Sequence, residues 1–445
     1  FLGIPYAAPP VGDLRWAPPK PVKSWTTDLA ATEAGPNCMQ ARPPANVGGR
    51  AATMSEDCLT LNVWAPEKPN KAPVIVWIHG GGHVDGSASD KYTDGTAFAA
   101  DGVIVVAMNY RLGALGFFAH PALGKDVNFG LLDEIAALNW VKANIAAFGG
   151  DPANVTIAGE SSGGEDVLAL MTSPPARGLF VRAIAESAGG GWWSPPTRAE
   201  AEVSGEKVAK KAGLKGKADA KALRALPADA LAKAGAEEEL GIVLDGQSLV
   251  DPRQQVFDAG KEAPVPLLIG TNSGEGSLLG ENPDPKQIFP KVQPEDFAKL
   301  TQAYGGAEGA KLAKLMFRDG YFAGPTLDIA RAHEKAGQPV YLYRFDFRMS
   351  VLRSRRPDAY HGSELPFVFG TLPPQAAGVD DALIQAAMHG CWATFARTGK
   401  PTCQMAPDWK PGATTWMVFD DTIGDRPIGS TDAIDLLRTR IEAAN

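Results

Sequence analysis

The most constraining feature of the chain is a five-residue turn, Gly159-Glu160-Ser161-Ser162-Gly163, that lies between two regular segments. Residues 154–158 before the turn are typical of a buried strand, and residues 165–171 after it are typical of a helix. Glycines at both ends of such a turn leave room for a serine in a strained backbone conformation. The pattern therefore predicts a nucleophile elbow that exposes Ser161.

The segments on either side of this turn alternate between strand and helix patterns. Runs 72–79 and 103–110 are rich in β-branched residues, as expected of parallel strands that are buried on both faces. Residues 131–148 have a helical period. We therefore expect an α/β fold with a mostly parallel central sheet and helices on both faces. Further strands are expected at 181–184, 265–269 and 340–347.

Two segments interrupt this alternation. Residues 199–239 are rich in Ala, Lys and Glu, and residues 294–335 also have a helical pattern. Neither has the composition of a linker, so we expect a single domain over residues 1–445 with two helical insertions over the active-site edge of the sheet. The sequence opens at Phe1 inside an apolar phrase, and we expect its N-terminal end to be incomplete.

Composition and charge limit the kinds of partner that the chain could bind. Apolar residues make up 44% and charged residues 21%, which is the balance of a folded protein with a sizeable core. The formal net charge of -8 does not favour nucleic acid or an anionic membrane surface. No run of about 18 apolar residues is present, so we expect no membrane-spanning helix.

The cysteines are the feature that bears on the compartment. Their even number, in two pairs that are close in sequence, suits two local disulfides and an oxidising environment. Four cysteines allow three pairings, and four free thiols in a cytosolic enzyme are the alternative. Their spacing is not typical of a zinc site, so no metal is expected. The four are Cys38, Cys58, Cys391 and Cys403.

A glycine tripeptide, Gly80-Gly81-Gly82, follows the strand that ends at His79. Without side chains, the N–H groups of such a loop can approach a substrate closely and stabilise an oxyanion. The loop lies between a buried strand and the predicted elbow, as an acyl-transfer site requires. A flexible turn is the alternative interpretation.

A serine hydroxyl also needs a base that removes its proton. His361 follows the predicted strand 340–347 through a loop and lies C-terminal to Ser161, as the chain order of an α/β-hydrolase requires. We therefore predict His361 as the base. The other histidines are His79, His83, His120, His333 and His389.

An acidic residue is needed to orient the imidazole of that base. Glu275 follows the predicted strand 265–269, at the carboxyl edge of the sheet, where ligands bind in open α/β sheets. The order Ser161, Glu275, His361 is the order of the α/β-hydrolases. By spacing alone, Asp245 or Asp251 is an alternative acid.

Short phrases spread over nearly the whole chain match one known family. They are Phe1–Ala7, Ser55–Val63, His79–Gly82, Asn109–Arg111, Phe148–Pro152, Asn154–Ile157, Gly159–Ser161, Gly270–Asn272, His361–Gly362 and Glu364–Phe367. With these phrases the chain resembles a type B carboxylesterase, the family that also contains the cholinesterases. The resemblance implies an α/β-hydrolase fold and a serine esterase that acts on small-molecule esters without a metal or organic cofactor.

The resemblance also assigns roles to individual residues. The nucleophile, acid and base of the family fall on Ser161, Glu275 and His361. The oxyanion donors fall on the N–H groups of Gly81, Gly82 and Ser162. Ser187 and Glu160 are expected to contact the triad residues and stabilise their positions without touching the substrate. Cys38 and Cys58 match an N-terminal disulfide of the family, which favours a secreted or periplasmic enzyme, whereas Cys391 and Cys403 are paired only by proximity.

The sequence departs from the usual family pattern at three positions. Ser162 replaces an alanine, Gly274 replaces an aspartate that often precedes the acid, and His83 replaces an aromatic residue after the glycine loop. The change at His83 is expected to alter the acyl pocket. Trp192 and Trp193 are candidates for the same pocket, and a pair of packed core tryptophans is the alternative.

A cluster of three arginines, Arg353, Arg355 and Arg356, precedes His361. A solvated charge cluster is one interpretation. The other is that guanidinium groups bind an ester that also carries free carboxylates. Family members that remove tricarballylic acid from fumonisin toxins have substrates of this kind.

The function expected from these residues is ester hydrolysis through an acyl-enzyme, in which His361 activates Ser161 and later a water molecule. Two alternatives remain. One is a lipase, for which the Lys- and Glu-rich segment 199–239 would be a poor apolar lid. The other is a non-catalytic binding protein on the same scaffold, although members of that kind lack the serine.

Overall fold

The computed structural model describes residues 1–41, 53–192, 194–238, 240–375 and 377–442. In chain order the strands are β1 Ile4–Pro5, β2 Asn37–Cys38, β3 Met54–Ser55, β4 Thr60–Trp64, β5 Ala72–Ile78, β6 Ile104–Met108, β7 Gly150–Glu160, β8 Arg182–Glu186, β9 Leu267–Asn272, β10 Val340–Phe345, β11 Gly412–Phe419 and β12 Gly424–Pro427. The helices are α1 Thr96–Ala100, α2 Gly113–Gly116, α3 Phe129–Asn144, α4 Ser162–Thr172, α5 Arg198–Lys211, α6 Ala220–Arg224, α7 Ala228–Ala236, α8 Arg253–Asp258, α9 Pro285–Ile288, α10 Pro294–Ala303, α11 Gly309–Phe317, α12 Gly324–Lys335, α13 Leu365–Val368, α14 Val379–Thr398 and α15 Asp432–Glu442.

The chain divides into two compact units, and the first comprises Phe1–Val181 and Pro195–Pro252. Its sheet has the order β1-β4-β6-β5-β7. Strands β5, β6 and β7 are parallel, and β1 and β4 pair in an antiparallel manner at one edge. All five residues of β6 are buried, in agreement with the continuous β-branched pattern of that run.

The second unit comprises Arg182–Ser194 and Arg253–Asn445. Its strands follow the order β8-β9-β10-β11-β12, parallel except for the antiparallel strand β12. Helices α10, α11 and α15 enclose a separate apolar cluster, which includes Leu300, Met316 and Leu437. Parallel strands joined through helices confirm the predicted α/β class.

Most of the predicted elements are present, with shifted ends. The predicted strand 154–158 belongs to the longer strand β7, because Gly150 already pairs with Ala72 of β5. The predicted insertions are helical, with α5–α7 in the first and α10–α12 in the second. The arrangement of a single domain with two insertions stays a prediction. No helix among the described residues is long and apolar enough to cross a membrane.

Two disulfides link the four cysteines. Cys38 and Cys58 are joined with a Cα–Cα distance of 5.0 Å, and Cys391 and Cys403 with a distance of 4.6 Å. A cross-link stabilises a fold mainly because it restricts the unfolded chain, and the effect grows with the length of the closed loop. Cys38 and Cys58 are 20 positions apart in sequence.

We therefore expect the double substitution Cys38→Ser with Cys58→Ser to lower the free energy of unfolding by about 3 kcal/mol. Urea denaturation followed by fluorescence would measure the change, with the intact disulfide protein as reference. A loss below about 1 kcal/mol would contradict a stabilising role for this link.

Candidate active site

The predicted elbow is present at the junction of β7 and α4. Ser161 has φ 58° and ψ -127°, a conformation that a non-glycine residue adopts only where the surrounding structure enforces it. A Cβ atom at Gly159 would collide with the carbonyl oxygen of Gly163, and one at Gly163 would collide with that of Ile78. The two glycines therefore allow the backbone crossing that projects Ser161 from the turn.

The glycine loop lies directly beside this serine. A Cβ atom at Gly80 would lie 3.0 Å from Cβ of Ser161. Gly81 and Gly82 have positive φ values of 114° and 62°. The carbonyl of Gly81 accepts hydrogen bonds from the N–H groups of Val84 and Asp85. The N–H groups of Gly81 and Gly82, in contrast, have no acceptor among the described residues. Two backbone donors are thus available next to Ser161.

The predicted acid and base contact each other in the second unit. Nδ1 of His361 lies 2.5 Å from Oε2 of Glu275, which is fully buried. The loops that carry these residues are also joined, because the N–H of Gly274 donates to the carbonyl of Ala359 at 2.7 Å and the N–H of His361 donates to Oγ of Ser277. The ring of Phe322 packs against the imidazole, with 5.3 Å between the centroids.

Three donors converge on the other oxygen of Glu275. Oε1 accepts hydrogen bonds from the hydroxyl of Ser187 at 2.6 Å, the hydroxyl of Thr271 at 2.8 Å and the N–H of Asn272 at 2.8 Å. Burial alone would raise the pKa of Glu275, but the charge of His361 and the hydrogen bonds with His361, Ser187 and Asn272 outweigh it, so that the pKa is lowered. Glu275 is therefore a carboxylate, and it holds the proton of the imidazole on Nδ1.

Other titratable groups near the glycine loop have a different character. Burial lowers the pKa of His79 to about 4, and its ring stacks on Tyr110, so His79 is neutral and unsuited to proton transfer at neutral pH. Glu160 is buried beside Gly80. Asp245 accepts three hydrogen bonds within its own turn, from Gln247, Ser248 and Leu249. This capping role, together with the Glu275–His361 contact, favours Glu275 over Asp245, and Asp251 is exposed.

Two of the candidate pocket residues lie in the protein interior. The imidazole of His83 is buried and contacts Asp166 and Phe117. Trp192 donates its indole N–H to Asp328 at 2.8 Å and belongs to the apolar cluster of α10, α11 and α15. These contacts favour the packed-tryptophan interpretation for Trp192. Trp193 lies outside the described residues.

The three arginines before His361 differ in their contacts. Arg353 pairs with Asp421 and lies over the ring of Phe347, at 5.0 Å from its centroid. Arg356 lies over the ring of Tyr360, and Arg355 is exposed. Arg355 and Arg356 form no ion pair with a carboxylate among the described residues, although the charge of Arg356 acts on the carboxyl group of Asp358.

Several supporting residues were not predicted. Thr271, Asn272 and Ser277 fix the acid and the base, and Phe322 packs on the base. Thr271 and Asn272 lie in the Gly270–Asn272 phrase, whose position just before the acid was a usable signal. Phe322 belongs to the π-helical segment Arg318–Ala323, for which the sequence has no distinctive signal.

The first unit has a strained serine beside a glycine loop with unused N–H groups, and the second has a carboxylate-bound imidazole. Each of these is a feature of serine hydrolases. A sequence model of the carboxylesterase family matches residues 1–308 and 301–422 of the chain. The chain therefore belongs to the carboxylesterase family.

Individual relatives agree with this assignment. Fumonisin B1 esterase of Sphingopyxis macrogoltabida is 35% identical over 92% of this chain and 80% of the relative. Para-nitrobenzyl esterase of Bacillus subtilis is 37% identical over 92% of this chain and 88% of the relative. A solved structure of a PNB esterase superposes with a TM-score of 0.86 at 32% identity and covers 98% of this chain and 95% of its own. The chain is thus a serine carboxylesterase with the α/β-hydrolase fold, as predicted.

Proposed function

We propose that Ser161 is the nucleophile of this esterase, His361 its general base and Glu275 the acid that orients the base. The hydrogen bond between His361 and Glu275 is the observation that carries the assignment, because it fixes Nε2 as the nitrogen that can accept a proton. The positive φ of Ser161 supports its role as the exposed residue of the elbow. We further propose that the N–H groups of Gly81, Gly82 and Ser162 bind the oxyanion.

In this mechanism Nε2 of His361 accepts the proton of the Ser161 hydroxyl as its oxygen attacks the ester carbonyl. The carbonyl oxygen becomes an oxyanion, which the backbone N–H groups stabilise. Collapse of the tetrahedral intermediate breaks the bond to the alcohol, which takes the proton from His361. Water then attacks the acyl group on Ser161 by the same two steps, and the acid is released.

The acyl-enzyme can be observed directly. Acid quenching during turnover of p-nitrophenyl acetate should trap a protein whose mass is increased by one acetyl group, located on Ser161. Protein that has been preincubated with a phosphonylating reagent is the control and should remain free of acetyl. Hydrolysis without any covalent intermediate would contradict the mechanism.

Esters that carry free carboxylates are the more specific substrate class that we propose. The relative named fumonisin B1 esterase supports this class, as do the guanidinium groups of Arg355 and Arg356, which form no ion pair with a carboxylate among the described residues. Guanidinium and carboxylate groups pair with matched geometry.

We expect Arg355→Ala with Arg356→Ala to raise the KM for a short-chain ester that bears a free carboxylate by about fivefold, the effect of one exposed ion pair. The KM for the uncharged analogue of the same length should be unchanged. Arg353→Ala is the matched control, because Arg353 is already paired with Asp421. Equal effects on the charged and uncharged esters would refute carboxylate recognition by these arginines.

We propose that the enzyme is secreted or periplasmic. Its two disulfides support an oxidising compartment, because such links seldom persist in a reducing cytosol. Fractionation of the producing cells, followed by an esterase assay and thiol titration, tests this. Activity confined to the cytosolic fraction, with four titratable thiols, would contradict it.

A further inference from the structure

Two positions at which the sequence departs from the family pattern contact each other beneath the glycine loop. The backbone N–H of His83 donates a hydrogen bond to the hydroxyl of Ser162 at 3.2 Å. The alanine that is usual at the second position could not accept this bond. The side-chain hydroxyl of Ser162 thus ties the end of the glycine loop to the first residue of α4.

The side chain of His83 makes a second link to the same helix. Its Nε2 lies 2.9 Å from Oδ1 of Asp166, which is in the second turn of α4. Both residues are buried, at 5% and 0% exposure. Burial lowers the pKa of His83, but the charge and hydrogen bond of Asp166 outweigh it, so that the pKa is raised. The raised pKa favours the charged form of the His83 imidazole beside Asp166.

A second acidic residue borders this pair. Glu134 of α3 is fully buried, and neither of its carboxyl oxygens receives a hydrogen bond from a described residue. Burial and the neighbouring charge of Asp166 raise the pKa of Glu134 well above its usual value. The raised pKa favours the protonated form of Glu134. The preceding residue, Asp133, forms an ion pair with Arg111.

The backbone of His83 is also fixed, by its hydrogen bonds to neighbouring segments. His83 has φ 59° and directly follows Gly81 and Gly82, which also have positive φ values. Its carbonyl accepts a hydrogen bond from the N–H of Gly113 at 2.6 Å. A non-glycine residue in this conformation costs free energy, which the fixed contacts of His83 must offset.

We propose that His83 is a positioning residue for the oxyanion hole, and that its hydrogen bond to Asp166 holds the glycine loop against helix α4. The proposal rests on the proposed role of Gly81 and Gly82 as oxyanion donors. One helix, α4, then sets the position of all three donors, because it begins at Ser162 and carries Asp166. Small displacements of such donors are costly for catalysis.

The test compares two buried histidine–carboxylate pairs of the same kind. The control is His333, which is fully buried and lies 2.7 Å from Glu262, in the second unit. His83→Gln and His333→Gln should both lower the Tm, since each breaks a buried pair. Only His83→Gln should lower kcat for p-nitrophenyl acetate, by about tenfold to a hundredfold, with KM changed less than twofold.

A trifluoromethyl ketone measures the oxyanion hole directly, because it forms a tetrahedral oxyanion adduct with a serine nucleophile. Its inhibition constant should increase in His83→Gln and in Asp166→Asn by the same factor as kcat/KM falls. The double variant should be no worse than the poorer single variant, since both act through one pair. Asp166→Asn preserves the side-chain shape and provides the same test if His83→Gln does not fold.

Unchanged kcat and ketone affinity in both variants, at a temperature below their Tm, would overturn the proposal. An equal loss of kcat in His333→Gln would also overturn it, because the effect would then be general destabilisation. Failure of the proposed function looks different: the wild-type enzyme would not bind the ketone, and Ser161→Ala would remain active.

Discussion

Ser161→Ala is expected to lower kcat for p-nitrophenyl acetate by about 10⁶-fold, the loss that follows removal of the nucleophile of a serine hydrolase. The substitution deletes the only atom that bonds to the acyl group, so the two-step route is closed. What remains is the contribution of binding and of the oxyanion donors. Steady-state kinetics at high enzyme concentration would measure the residual rate.

Ser173→Ala is a suitable control for this prediction. Ser173 is buried and directly follows the C-terminal end of α4, so the change has the same chemistry without touching the elbow. The control should retain nearly full activity. A Ser161→Ala enzyme within tenfold of the wild-type kcat would show that another residue is the nucleophile.

Glu275→Gln is expected to lower kcat by about 10⁴-fold with little change in KM. Three donors converge on Oε1, from Ser187, Thr271 and Asn272, so the carbonyl oxygen of the new amide must occupy that position. The amide NH₂ then faces Nδ1 of His361 and donates to it. The imidazole is left with its proton on Nε2 and cannot accept the proton of the serine.

Glu262→Gln is the matched control for this substitution, because Glu262 is a buried carboxylate that also contacts Nδ1 of a histidine, His333. It should affect the Tm but not kcat. If Glu275→Gln lowered kcat less than tenfold, Glu275 would not be the residue that sets the tautomer of His361.

The sequence alone predicted the parts of the site that depend on local pattern. The elbow is determined by two glycines around Ser161 between a strand and a helix, and these are neighbours in the chain. The contact between Glu275 and His361 spans 86 positions, yet it could be predicted because the carboxyl ends of adjacent parallel strands meet at one edge of a sheet. The start of β7 could not be predicted, since it depends on the pairing of Gly150 with Ala72.

The environment of individual side chains was much harder to predict. His83 was expected near the acyl pocket because of its place in the sequence, but its ring is directed to Asp166, a partner 83 positions away. Trp192 likewise has its hydrogen-bond partner at Asp328, 136 positions away. Hydrogen-bond partners so far apart in the chain are determined by tertiary packing. Neither periodicity nor local composition predicts them.

The most direct test of the central claim is mass-spectrometric mapping of the inhibited enzyme. After complete inactivation with a fluorophosphonate, fragmentation of the proteolytic peptides should locate one phosphonyl group on Ser161. The Glu275→Gln enzyme should be modified at the same residue but far more slowly, because its base cannot activate the hydroxyl. A phosphonyl group on Ser162 or another residue, or full inactivation without modification of Ser161, would contradict the assignment.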